Sequence, residues 1–227
     1  MRVLSDIPFE LPLEDVMGEL RVRLHTADAE ALADLVRQAR EVARPRALYV
    51  EAFVDGRDEE TVRVGEVSFR SRALRRSLDG VERVFPFVAT CGREMEEANP
   101  APPDDVVTAF WWDALQVHLL ESAVCHVAED IEKRFRVGPT AMMSPGAADA
   151  TVWPIEEQRP LFGLLGDVEA SIGVRLTESL FMSPTKSVSG IRFATERDFR
   201  SCQVCRRPHC PRREAPFDPA LREELQG

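Results

Sequence analysis

Between the proline-rich break Asn99-Pro100-Ala101-Pro102-Pro103 and Gly138, nothing in this chain interrupts a helix. Residues 104–135 contain no proline and no glycine, the two residues that most often end one. Within that span Val107, Phe110, Trp111, Ala114, Leu115, Val117, Leu119, Val124, Val127 and Ile131 recur at threes and fours, the spacing of one helical face. A helix this long with one apolar stripe needs a partner along its length, so it is expected to be the central buried helix of the fold. Trp111 and Trp112, beside Phe110, fall in the stripe and read as core. His118 and His126 lie two turns apart, too far for a shared metal.

The remaining elements are short. Residues 2–10 read as an extended segment and 12–20 as a helix. Thr26 caps a second helix that Pro45 stops. Residues 47–54 alternate like a strand, Asp55-Gly56 reads as a turn, and 61–67 as the returning strand. A short helix over 71–78 leads to a strongly apolar strand over 81–90, and Cys91-Gly92 turns into a short acidic helix. After a loop over 143–147, helices are expected over 154–165 and 168–172. Two strands, 174–180 and 187–194, are expected around the turn Ser183-Pro184-Thr185-Lys186. This mixture lacks βαβ regularity. It predicts an α+β fold, a mostly antiparallel twisted sheet packed with helices. No dinucleotide or nucleotide phosphate loop is present.

Charge narrows the partners. The 227 residues carry a formal net charge of -10, which argues against a nucleic-acid or anionic-membrane surface. No apolar leader or membrane-length apolar run occurs, so a cytoplasmic protein is expected. Five cysteines, an odd count with three clustered, argue for a reducing compartment rather than a disulfide framework.

The clustered three are Cys202, Cys205 and Cys210, in S-C-Q-V-C-R-R-P-H-C-P-R-R. Two residues and then four separate them, a spacing that suits zinc or an iron–sulfur cluster. A cluster normally takes four ligands. Cys91 and Cys125 are candidates for the fourth, and each also fits a buried apolar position, Cys125 on an apolar helix face. His209 adjoins Cys210. Arg206, Arg207, Arg212 and Arg213 surround the thiols and would stabilise an anionic centre, form a solvated basic edge, or dock an acidic partner.

Residues 144–191 carry a more specific pattern. Ser144-Pro145-Gly146 is followed by Trp153-Pro154-Ile155-Glu156-Glu157-Gln158 and then by Leu161-Phe162-Gly163-Leu164-Leu165. Ile172-Gly173-Val174-Arg175-Leu176-Thr177-Glu178-Ser179, Met182, Pro184 and Ser187-Val188-Ser189-Gly190 complete it. This resembles the activation (reactivation) domain of cobalamin-dependent methionine synthase, and Asp6-Ile7-Pro8-Phe9 is similar to that domain's opening. The resemblance implies a domain over 1–195, with 196–227 as an added cysteine-rich tail. It implies S-adenosylmethionine as a ligand, a cobalamin-binding methyltransferase or corrinoid protein as partner, and an external electron donor. It implies ligand contacts from Ser144, Pro145, Gly146, Glu178, Glu121 and Asp6. In the family an arginine precedes the Pro-Gly loop and a tyrosine follows it; here Met142 and Ala147 stand in those places. Lys186 reads as a solvated turn lysine. Two functional readings follow. One is a stand-alone protein supporting reductive reactivation or methylation of a partner's cobalamin, with a cysteine-ligated iron–sulfur centre. The other is a non-catalytic interaction module with structural zinc and no S-adenosylmethionine binding.

Overall fold

The computed structural model describes residues 1–148, 151–197, 199–210 and 213–226. The chain opens with strand β1 (Arg2–Leu4) and helices α1 (Leu13–Leu20) and α2 (Ala27–Val42). Thr26 caps α2, its hydroxyl accepting from Ala29 N at 3.2 Å. Strands β2 (Arg46–Tyr49), β3 (Ala52–Arg57), β4 (Thr61–Val64) and β5 (Val67–Arg70) lead to helix α3 (Arg72–Ser77). Strand β6 (Arg83–Thr90), helix α4 (Arg93–Glu97) and the long helix α5 (Val106–Phe135) follow. After strand β7 (Thr140–Met143) come helices α6 (Gln158–Leu165) and α7 (Val168–Ile172). Strands β8 (Arg175–Leu176), β9 (Met182–Ser183) and β10 (Ser187–Ala194) precede the terminal helix α8 (Pro219–Gln226).

Strand β6 is the axis of an antiparallel sheet. It pairs with β2 and β3 along one side and with β10 along the other. Beyond these, β1 flanks β2, β7 flanks β10, and β4 and β5 extend from β3. From Val84 to Thr90 every β6 residue is buried, which accounts for its run of apolar side chains. Pro86 sits in this central strand, where a missing N–H would ordinarily break a ladder. It falls where the neighbouring chain crosses from β2 to β3, and its carbonyl still accepts from Val50 N at 3.0 Å.

Helix α5 serves two cores. Its first half packs Trp111, Trp112, Leu115 and Leu119 against α1 and α2. Its second half lays Ala123, Val127 and Ile131 on the sheet, against Tyr49, Phe85 and Phe87. A third core fills the opposite sheet face, where Leu48, Val84, Val88 and Phe193 meet Trp153, Leu161 and Val174. The α+β class, the mostly antiparallel sheet and the long central helix are those the sequence predicts.

Several local expectations change. Residues 47–54 form two strands, because the chain steps between β6's partners at Val50-Glu51. Asp55-Gly56 lies inside β3 at a bulge. The turn comes later, where Asp58 Oδ1 accepts from Glu60 N at 3.0 Å and Thr61 N at 2.7 Å. Residues 174–180 do not pair with 187–194. Only Arg175–Leu176 is strand, hydrogen-bonded to Met182–Ser183, while β10 joins β6 and β7. Cys125 is exposed, so it is no buried apolar position; it projects from α5 away from the core. Phe110 is exposed as well, although its neighbours Trp111 and Trp112 are buried.

The last segment packs into the body. Val204 and Leu225 are buried in the same core as Val84 and Phe193. Arg222, also buried, donates to Val204 O and to Thr151 Oγ1.

Candidate functional site

Among the described residues strand β7 pairs with β10 alone, and the Pro-Gly loop leaves its end. Two glycines set that geometry. Gly146 has φ +74, a left-handed conformation, and a Cβ there would lie 2.7 Å from Ile155 Cδ1. A Cβ on Gly190 would run into Met143 O and sit 2.7 Å from Ser144 Oγ. The Ser-Val-Ser-Gly segment of β10 therefore lets the loop lie flat against it. Gly146 N donates to Trp153 O at 2.8 Å, and Ala147 N to Ser144 O at 3.2 Å. Trp153 is held edge-on to Phe69, centroids 5.8 Å apart, and Val152 O accepts from Ser71 Oγ at 2.6 Å. Both ends of the loop are thus anchored in the sheet and its core, while Gly146 and Ala147 themselves are exposed.

The other expected site residues distribute around this end of the sheet. Leu4, Ala47, Ala89 and Val188 stand in one row, so Asp6, just beyond β1, shares an end with the loop. It does so across the sheet's width: four strand spacings, about 19 Å along the sheet, separate β1 from β7. Asp6 is exposed and accepts from Ser5 Oγ at 3.5 Å. Glu121 is exposed on α5, one turn before Val124, which packs against the same core as Met142. Glu178 is at the exposed tip of the β8–β9 hairpin rather than on a strand, and its carbonyl accepts from Arg159. Lys186 is not merely solvated, since it pairs with Asp113 on α5 at 2.6 Å.

The cysteine turn is organised by arginine. Arg213 donates to Cys202 O at 3.0 Å, Ala215 O at 3.3 Å, Cys205 O at 3.3 Å and Arg207 O. Cys205 Sγ donates to Ala148 O at 3.1 Å, and Ser201 Oγ to Met142 O at 3.5 Å, so the turn leans on the Pro-Gly loop. Among the described residues, no three His, Cys, Asp or Glu side chains gather into a group that could hold a metal ion. The Sγ–O contact faces Cys205 toward the Pro-Gly loop. Arg212 lies outside the described residues. Cys91 is fully buried, and burial pushes its thiol up to about 12, with Glu96 adding to the shift. Its neighbours are the apolar side chains of the core between α2 and α5.

One residue escaped the sequence reading. Arg192 on β10 is 7% exposed and is the direct ladder partner of Met142. The signal was an arginine between Ile191 and Phe193 in a strand whose other members are small or apolar.

The fold matches that of a solved protein, the crystal structure of the MetH reactivation domain bound to AdoHcy. The TM-score is 0.61 at 18% identity, over 88% of this chain and 81% of that one. The family model of the vitamin B12 dependent methionine synthase activation domain matches residues 144–204, which run from the Pro-Gly loop through β10 into the cysteine turn. The chain therefore resembles that activation domain in sequence over the loop region and in fold over most of its length. No curated protein matches it. Among the described residues, no helix is long and apolar enough to cross a membrane.

Proposed function

We propose that this protein serves a cobalamin-dependent methyltransferase of the methionine synthase type, binding S-adenosylmethionine beside its Pro-Gly loop and presenting it to the partner's cobalamin. The observation that carries this reading is where the family match falls. It covers the loop and the strand behind it, and both glycines that shape the loop, Gly146 and Gly190, are retained. In this role an external donor supplies one electron to oxidised cobalamin. The methyl group then leaves the ligand's sulfonium for the reduced cobalt, leaving the thioether behind. Methylation removes the unstable reduced form and so draws the reduction forward. The chain's own part is to hold the ligand and the partner in register.

The docking face is the loop end of the sheet. There Phe181, at the β8–β9 hairpin, is 72% exposed, and Phe110 on α5 is 61% exposed. The Lys186–Asp113 pair and the bonds from Thr185 N and Oγ1 to Glu96, 2.9 and 2.8 Å, tie the intervening turn to α4 and α5. No step is routed through an iron–sulfur cluster or zinc.

The test combines the full chain with a cobalamin-binding methyltransferase module from the same organism, a reductant and S-adenosylmethionine. Loss of the cob(II)alamin absorbance only when all components are present is the expected result. Complex formation with no ligand binding and no spectral change would instead support the non-catalytic interaction module. Met142 and Ala147, in place of the family's arginine and tyrosine, favour that second reading.

A further inference from the structure

We infer that Arg192 is the anion-holding residue beside the Pro-Gly loop, receiving the carboxylate of an amino-acid-bearing ligand across the strand from Met142. This deepens the S-adenosylmethionine reading and rests on it.

The argument starts from the ladder. Arg192 and Met142 are directly opposed on β10 and β7, so their side chains leave the same sheet face as near neighbours. That face is the one under α5. Arg192 Nη2 donates to Val124 O at 3.3 Å, and Met142, Val124 and Leu120 all pack against the same core beneath α5. A cation moved from one member of such a pair to the other keeps nearly the same position over the sheet.

The surroundings of Arg192 are those of a cation awaiting an anion. It is more than nine-tenths buried, yet among the described residues no carboxylate lies within ion-pair distance. Its hydrogen bonds go to neutral oxygens, Thr140 Oγ1 at 3.1 Å and Val124 O, and its buried Nε has no partner. Glu132, the nearby acid, is bonded to Thr140 N and Oγ1 instead, both at 3.3 Å. The guanidinium rests over the Phe87 ring at 5.6 Å. Burial pushes its pKa down, with Cys125 and Glu132 opposing and Arg200 adding to the fall. A buried charge without a paired counter-charge is unfavourable by itself. A guanidinium presents planar paired donors that match a carboxylate's two oxygens. β7 is an edge strand beside β10 and Met142 is only half-buried, so a ligand lying on the loop reaches this point by displacing the thioether side chain.

The test is calorimetric, on the full chain. S-adenosylhomocysteine is compared with 5′-methylthioadenosine, which keeps the nucleoside and thioether but lacks the amino-acid carboxylate. Wild type is expected to prefer S-adenosylhomocysteine by about ten- to hundredfold, the range of a charged hydrogen bond. Arg192→Met should abolish that preference while leaving methylthioadenosine binding unchanged. The reciprocal swap, Arg192→Met with Met142→Arg, should restore it. Equal affinity of wild type for the two compounds, or a preference that survives in a folded Arg192→Met variant, would overturn the inference and leave the S-adenosylmethionine reading standing. Failure of wild type to bind either compound would overturn that reading itself, and this inference with it. Should Arg192→Met not fold, the swap decides alone, retained preference supporting the assignment and lost preference refuting it.

Discussion

Replacing Gly190 with alanine tests whether the close contact of β10 with the Pro-Gly loop is as tight as the geometry requires. The added Cβ meets Met143 O and Ser144 Oγ, and the first is backbone, which no rotamer change can relieve. Edge strand β7 and the loop must move away together. Overpacking of this kind costs about 1–3 kcal/mol. With unfolding entropy typical of a chain this size, that corresponds to a fall of roughly 2–12 °C in Tm. Gly163 is the internal control. It is exposed inside α6, and a Cβ there meets nothing within 4 Å. Gly163→Ala should therefore stabilise by about 0.5–1 kcal/mol through helix propensity. Urea unfolding of both variants beside wild type reads the difference, and calorimetry with S-adenosylhomocysteine reads the loop. The expected pattern is opposite signs of stability change, with weakened ligand binding in Gly190→Ala only. If Gly190→Ala matched wild type in stability and binding, the strand and loop would not be in the contact described, and the site's geometry would have to be redrawn.

Three further outcomes follow from single residues. Tyr49 is the chain's one tyrosine; it is buried and donates to Asp130 at 2.5 Å, and burial with that bond raises its pKa. A raised pKa means stability that is full below pH ~10 and lost as the pH climbs toward the folded value. Tyrosinate absorbance should thus appear late and together with alkaline unfolding, and ordinary titration of a folded protein near pH ~10 would refute the burial. Cys91 should not react with a disulfide reagent in the native protein at neutral pH, while exposed Cys125 does; prompt labelling of Cys91 in mass spectra would contradict its placement. Leu225→Ala should destabilise the whole chain by about 2–3 kcal/mol, because Leu225 is 4% exposed in the core shared with Val84. A single transition with unchanged midpoint would show the last helix to be detached from the body.

Much of the fold is legible because it is written in local chemistry. The α5 periodicity, the Thr26 cap and the Pro45 stop need only neighbours in sequence, and α2 and α5 appear where these signals fall. The Pro-Gly loop was legible through its motif. What was lost depended on partners distant in the chain. Residues 140–142 carry no element signal and Met143 reads as the start of a loop, because these four residues become a strand only against β10. The long strand expected over 174–180 fails because β10 is already occupied on both sides, by β6 and β7, leaving β8 to pair with two residues of β9. In the cysteine turn, Arg213 reaches four carbonyls, a contact that the spacing of the cysteines cannot reveal. Arg192 went unremarked for the same reason, since only the ladder shows that it faces Met142.

The pairing of β6 with β10 has a consequence for how this protein is made. Phe87 finds its partner in Gly190, and between them lie α5, β7 and the whole Pro-Gly loop. A ribosome at work on this chain would release β6, its most apolar strand, long before β10 emerges to cover that edge. Contacts of such wide sequence separation slow folding, and an uncovered strand edge invites association with other chains meanwhile. Until then, β2, β3 and α5 are what shield β6. Recovery from denaturant should accordingly depend on protein concentration more steeply than the stability of the finished sheet suggests.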